Sequence, residues 1–254
     1  MVKNMDLHFN KTTLGYGNRI AIKNFSAKLK AGSLVAITGD NGAGKSTLLK
    51  AIAGLIKPLK GKITKPKKSR IAYLSQQCDV DQTFPIDVKT LVKTGLWSFC
   101  GLWKSQRPYD SKIQNALEMV GLTELAPRSL ETLSGGQLQR ALFARIIVQD
   151  ANIILLDEPF NGVDHKTQKD LLALITYWQQ QGRTVLTALH NPLIVQEFFP
   201  QMIQINQQNT FYGETTQFLN NTIHHVMPPL TSNSFPISAQ KQNLPINDPL
   251  FLRL

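Results

Sequence analysis

Gly39-Asp40-Asn41-Gly42-Ala43-Gly44-Lys45-Ser46-Thr47 decides how this chain folds. The stretch fits G-x-x-x-x-G-K-[ST]. It follows an apolar run from Leu34 to Ile37 and precedes a helical one from Leu48 to Ile56, the strand–loop–helix context that the pattern requires. Glycines let successive backbone amides curl around phosphate oxygens, while a lysine and a hydroxyl meet the terminal phosphates and a magnesium ion. Lys45 and Ser46 fill those two roles, and Thr47 adds a phosphate contact.

Working outward, Leu133-Ser134-Gly135-Gly136-Gln137 also opens a helix, so its hydroxyl and amides can face an anion at a positive helix end. It has no lysine of its own. Ile153-Ile154-Leu155-Leu156-Asp157-Glu158 is an apolar strand ending in two acids. Ligands of parallel sheets gather at the carboxyl ends of strands, which puts both acids near the glycine-rich loop. Because strand residues alternate, Asp157 is expected to hold magnesium while Glu158 faces elsewhere and polarises water. His190 follows the strand Thr184 to Leu189 and is placed to reach a terminal phosphate, with Asn191-Pro192 as an N-cap and first helical turn. After the strand Arg70 to Ser75 an uncharged amide can sense magnesium and water; Gln76 and Gln77 both qualify.

The chain has 254 residues, enough for one large domain or two lobes, and its 42% hydrophobic and 18% charged residues are ordinary for a globular protein. No apolar run approaches the roughly 20 residues of a membrane helix, and the start lacks a secretory layout, which points to the cytoplasm. Cys78 and Cys100 lack metal-ligand spacing and fit a reducing compartment. The net charge of +11 is concentrated in Lys57, Lys60, Lys62, Lys65, Lys67, Lys68 and Arg70, a run without acids. It reads as a solvated loop, with anionic lipid or nucleic acid as other readings; the lack of interleaved aromatics weighs against nucleic acid.

Short strands are expected at Met5 to Phe9, Arg19 to Leu29 and Ser33 to Ile37, and a helix from Lys45 to Leu55. Helical patterns follow near Val88 to Thr94, Ser111 to Val120 and Gln137 to Gln149. Strands return at Asn152 to Leu156 and Thr184 to Leu189, each with a helix behind it, and a hairpin at Met202 to Ile205 and Thr210 to Tyr212 closes the pattern. That alternation argues for an α/β fold with a parallel sheet and crossover helices. The segment 220–254 is polar and aperiodic, a weakly ordered tail in which His224 and His225 are unliganded.

In this order the motifs resemble those of the ATP-binding-cassette (ABC) ATPases: Walker A at 39–47, a glutamine loop at Gln76, the signature at 133–137, Walker B at 153–158 and the switch histidine His190. The likeness covers roughly residues 2–219. It implies a P-loop NTPase fold of ABC type, a mainly parallel sheet with an N-terminal antiparallel β subdomain and a helical subdomain inserted at about 77–150. It implies ATP and Mg2+ as ligands. Gly39, Asn41, Gly42, Gly44, Lys45, Ser46 and Thr47 would hold ATP, with Tyr16 stacked on adenine. Ser46, Asp157 and Gln76 would hold Mg2+, and Glu158, Gln76 and His190 would serve catalysis. In the family two cassettes pair head to tail, so Ser134, Gly135, Gly136 and Gln137 would grip the partner's ATP and Asp164 would lie across the interface. That pairing accounts for a signature loop with no lysine.

Glu158-Pro159-Phe160-Asn161-Gly162-Val163-Asp164 and the segment Thr94-Gly95-Leu96 through Gly101-Leu102-Trp103, then Arg107-Pro108 and Asp110, resemble the manganese, zinc and iron importer subgroup. The implied assembly is a homodimer at the cytoplasmic membrane face, bound to integral-membrane permease subunits and, through them, to a substrate-binding protein. The helical subdomain would transmit closure. The same motifs serve siderophore, cobalamin and exporter cassettes. A translation-factor protein would carry two cassettes, and a chromosome-maintenance ATPase a long coiled coil before the signature; neither is present, and nucleic acid is not an expected partner.

Overall fold

Strands covered on both faces read as unbroken apolar runs, and that is how the central strands of this chain appear. The computed structural model describes residues 6–17, 19–76, 85–97, 107–206 and 209–218. The chain begins with β1 (Leu7–Tyr16), β2 (Arg19–Leu29), β3 (Leu34–Thr38), α1 (Lys45–Ala53), β4 (Lys60–Thr64) and β5 (Ile71–Leu74). Helices α2 (Val88–Thr94), α3 (Asp110–Met119) and α4 (Gly135–Val148) follow. The remainder is β6 (Ile153–Asp157), α5 (His165–Gln180), β7 (Thr184–Ala188), α6 (Pro192–Phe198), β8 (Gln201–Ile205) and β9 (Thr210–Glu214).

Six strands form one sheet in the order β5-β6-β7-β3-β8-β9, parallel except for the antiparallel edge strand β9. The two-residue strand period divides its apolar residues between two cores. Ala36, Ile154, Leu156 and Val185 join the cluster that includes Val92, Leu117 and Phe143 of helices α2, α3 and α4. Phe143 stacks on Trp178 of α5 with ring centroids 5.6 Å apart. Val35, Ile37, Ile153, Leu155 and Leu186 face the other way, onto Leu48, Leu49 and Ile52 of α1 and onto Phe9 and Phe25 of a second sheet, β2-β1-β4. Each such side chain contributes about 1.5–3 kcal/mol on burial, which sandwiches α1 firmly between the two sheets.

The helices fall within a residue or two of the expected bounds, but the basic run does not remain a loop. Lys60–Thr64 is β4, antiparallel to β1 with Asn10 opposite Lys62 and His8 opposite Thr64. Ile63 packs inward, while Lys60 and Lys62 stay exposed on an edge strand, where lysines discourage further strand pairing. Lys65 Nζ then donates to the Ile52 carbonyl at 2.9 Å, closing the last turn of α1, and burial lowers the pKa of that ammonium. Strand β1 also runs much further than Phe9, so Tyr16 ends a strand. Gln77, Cys78, Cys100, the segment Gly101-Leu102-Trp103, His224, His225 and the 220–254 tail lie outside the described residues.

Candidate active site

Four neighbouring strands deliver the site. Gln76 follows β5, Asp157 ends β6 with Glu158 next, His190 follows β7, and the glycine-rich loop follows β3. Their adjacency brings together, at the carboxyl ends of these strands, residues as far apart in sequence as Gly39 and His190. Asn41, Gly42, Gly44, Lys45, Ser46, Thr47, Gln76, Glu158, Asn161 and His190 line a cavity of 480 Å³.

The loop needs its glycines. Gly39 has φ 148°, and a Cβ there would run into the Ile205 carbonyl; Gly44 has φ 114° and is the N-cap of α1. No side chain caps that helix, so its first amides are left for an anion. Lys45 is 5% exposed and donates from Nζ to the carbonyls of Gly39 at 2.8 Å and Asp40 at 3.1 Å. Burial lowers its pKa, opposed by the nearby carboxylates of Glu158, Asp157 and Asp40.

Asp157 is 2% exposed and does not itself line the cavity. Its Oδ2 accepts from the Tyr73 hydroxyl at 3.2 Å, while Oδ1 is buried without a hydrogen-bond donor. Burial raises the pKa of this carboxyl; the Ser46 and Tyr73 hydroxyls pull it back, and Glu158 adds to the rise. An orphaned carboxylate oxygen beside a serine hydroxyl is a hard oxygen donor set, and it fits Mg2+.

Glu158 is not a further strand residue, so the alternation argument does not set its direction. It lies in the left-handed region at φ 52°, and its amide donates to the Ala188 carbonyl of the neighbouring strand end at 3.2 Å. The turn swings its side chain into the cavity, where it is 8% exposed and has three donors. Gln76 Nε2 and Asn161 Nδ2 each donate to Oε2 at 2.6 Å, and His190 Nε2 pairs with Oε1. Neither Asn161 nor Tyr73 is among the site residues expected from the sequence; the i, i+3 spacing of Glu158 and Asn161 is the available signal.

Not every candidate residue lines this cavity, and the signature is expected at a partner's ATP rather than here. Ser134, Gly135, Gly136 and Gln137 are absent from the cavity wall and begin α4 instead, with Ser134 as N-cap. A Cβ on Gly136 would meet Thr167 Oγ1 at 3.1 Å and Asp164 Oδ2 at 3.2 Å. The signature therefore sits against the start of α5, where the Asp164 carboxylate accepts from the Thr167 amide at 2.9 Å and hydroxyl at 2.7 Å. Those bonds hold the Asp164 pKa down. Tyr16 is 54% exposed and also lies off the wall.

The chain is similar to known proteins over most of its length. The family described as ABC transporter matches residues 22–161. A manganese transport system ATP-binding protein of Listeria innocua is 36% identical, over 81% of this chain and 88% of its own length. A zinc transport system ATP-binding protein of Treponema pallidum is 34% identical over 76% of each. Among solved structures, an inward-facing ABC transporter of metal-chelate type superposes with a TM-score of 0.78 at 31% identity, covering 87% of this chain and 88% of that one. The chain belongs to the ABC transporter family and is one of its ATP-binding, ATP-hydrolysing cassettes.

Proposed function

We propose that this cassette energises uptake of a divalent metal ion, manganese or zinc, through a separate membrane permease. The similarity to metal-transport cassettes over about three quarters or more of the chain carries the reading. No helix among the described residues is long and apolar enough to cross a membrane; the membrane pathway would be supplied by permease subunits. Two copies would pair head to tail at the cytoplasmic membrane face, each signature loop closing on the other's ATP, with a substrate-binding protein delivering the metal to the permease. The α2–α4 helices would carry closure to the permease.

Within the site, ATP phosphates would lie on the loop amides and the α1 N-terminus, with Lys45 turning from Gly39 and Asp40 to the terminal phosphate. Ser46, Asp157 and Gln76 are the residues that would hold Mg2+, which supplies positive charge at the phosphates. A water oxygen attacks the γ-phosphorus as Glu158 takes its proton, and the bond from phosphorus to the bridging oxygen breaks to release ADP and phosphate. His190 orients against the γ-phosphate, and Tyr16 would reach adenine from the rim. Deleting the gene and measuring uptake of labelled manganese and zinc tests the transport reading. Loss of either flux, restored by the parent chain and not by Lys45→Ala, is expected; unchanged uptake of both would overturn the metal assignment.

A further inference from the structure

We propose that Asn161 is a positioning residue for hydrolysis, holding the Glu158 carboxylate through the catalytic cycle while its other partners change. This rests on the reading of Glu158 as the base. The three donors to that carboxylate come from different parts of the chain. Gln76 arrives from the end of β5 and His190 from the end of β7, whereas Asn161 belongs to the same turn as Glu158. Its amide N–H also donates to the Glu158 carbonyl at 3.3 Å, which ties the turn to itself.

Asn161 therefore moves with the base. All three line the cavity, but Gln76 and His190 come from separate strand ends and can turn to an incoming nucleotide without moving the Glu158 turn. Their departure would leave Oε1 free to accept the water proton, while Asn161 keeps Oε2 pinned. An amide suits the task because it donates without bringing charge and without a proton to exchange. The left-handed backbone at Glu158 adds to the need, since a sparsely populated conformation persists only where surrounding contacts over-determine it.

The test is a double-mutant cycle on ATP hydrolysis by the purified full-length chain. Multiple-turnover rates serve the parent and Asn161→Ala, and long single-turnover runs with radiolabelled ATP serve variants in the Glu158→Gln background. Asn161→Ala is expected to lower kcat about tenfold, with KM for ATP unchanged and the thermal midpoint lowered by no more than a few degrees, well above the assay temperature. Asn161→Asp, equal in size but without the donor and with a like charge, should lower kcat further. In the Glu158→Gln background, Asn161→Ala should change nothing more. A parental kcat in Asn161→Ala, or the same fractional loss in both backgrounds, overturns the positioning role. Parental turnover by Glu158→Gln alone would instead overturn the base on which it rests.

Discussion

Ser134 and Gln137 bond to each other reciprocally at the start of α4: the Ser134 amide donates to Gln137 Oε1 at 3.0 Å, and the Gln137 amide donates to Ser134 Oγ at 3.2 Å. This capping box gives Ser134 a structural duty beside any contact with a partner's phosphate. Ser134→Ala should cost about 1 kcal/mol of stability as well as activity. Ser134→Asp keeps a capping oxygen and places a negative charge where the partner's phosphate would come. We expect it to melt close to the parent and to lose ATP-driven pairing in the Glu158→Gln background, read by size-exclusion chromatography with ATP. Undiminished pairing would remove the signature from the interface.

Glu158→Gln keeps the size of the side chain and removes the proton acceptor. Turnover should fall by at least about a hundredfold, the range for a lost general base, while ATP affinity measured by fluorescent-nucleotide displacement stays within a few-fold. A matching fall in affinity would mean that Glu158 serves binding rather than chemistry.

The buried carboxyl of Asp157, with its undonated oxygen, is costly to ionise without a cation. Asp157→Asn should therefore raise the thermal midpoint of the nucleotide-free protein in chelator. The added stabilisation that Mg2+ gives to the ATP-bound parent should largely vanish in the variant. Calorimetry in chelator and in Mg2+–ATP separates the two effects; a lower midpoint in chelator would contradict the assignment.

Asp6 offers a pH test away from the site. Its carboxylate pairs with Lys28 at 3.1 Å and accepts from the Ala31 amide at 3.1 Å, and these contacts, the lysine first, hold its pKa below the usual 3.8. A depressed carboxylate pKa stabilises the fold above its unfolded value, and that contribution is lost as pH falls through the folded one. Asp6→Asn should lower the thermal midpoint by about 2–4 °C at pH 7, and the gap should close below pH 3.8. A gap that persists in acid would place the effect in packing.

The parts of this molecule that were legible in advance are those where one residue type has one physical use. Gly39 and Gly44 adopt backbones that other residues resist, and the apolar run Ile153 to Leu156 suits only a strand covered on both faces. Strand β4 escaped because, of Lys60–Thr64, only Ile63 turns inward, and its pairing with β1 is set by residues some fifty positions away. Asn161 escaped for a different reason. An asparagine after Pro159 and Phe160 is an ordinary turn former, and its reach to Glu158 depends on a left-handed backbone that strand alternation does not anticipate. The hydroxyl of Tyr73 meets Asp157 only because Leu74 registers with Leu156 across β5 and β6.

That left-handed backbone at Glu158 also sets heat resistance against competence. At φ 52° a glycine or asparagine is more at ease than a glutamate, and the Glu158 charge beside buried Asp157 adds repulsion. A library of this gene sorted only for survival at high temperature would be drawn toward asparagine at this position, enriching well-folded cassettes that bind ATP and never spend it. Glutamate persists there only under selection for turnover, so the tension between a comfortable backbone and a working base is written into a single residue.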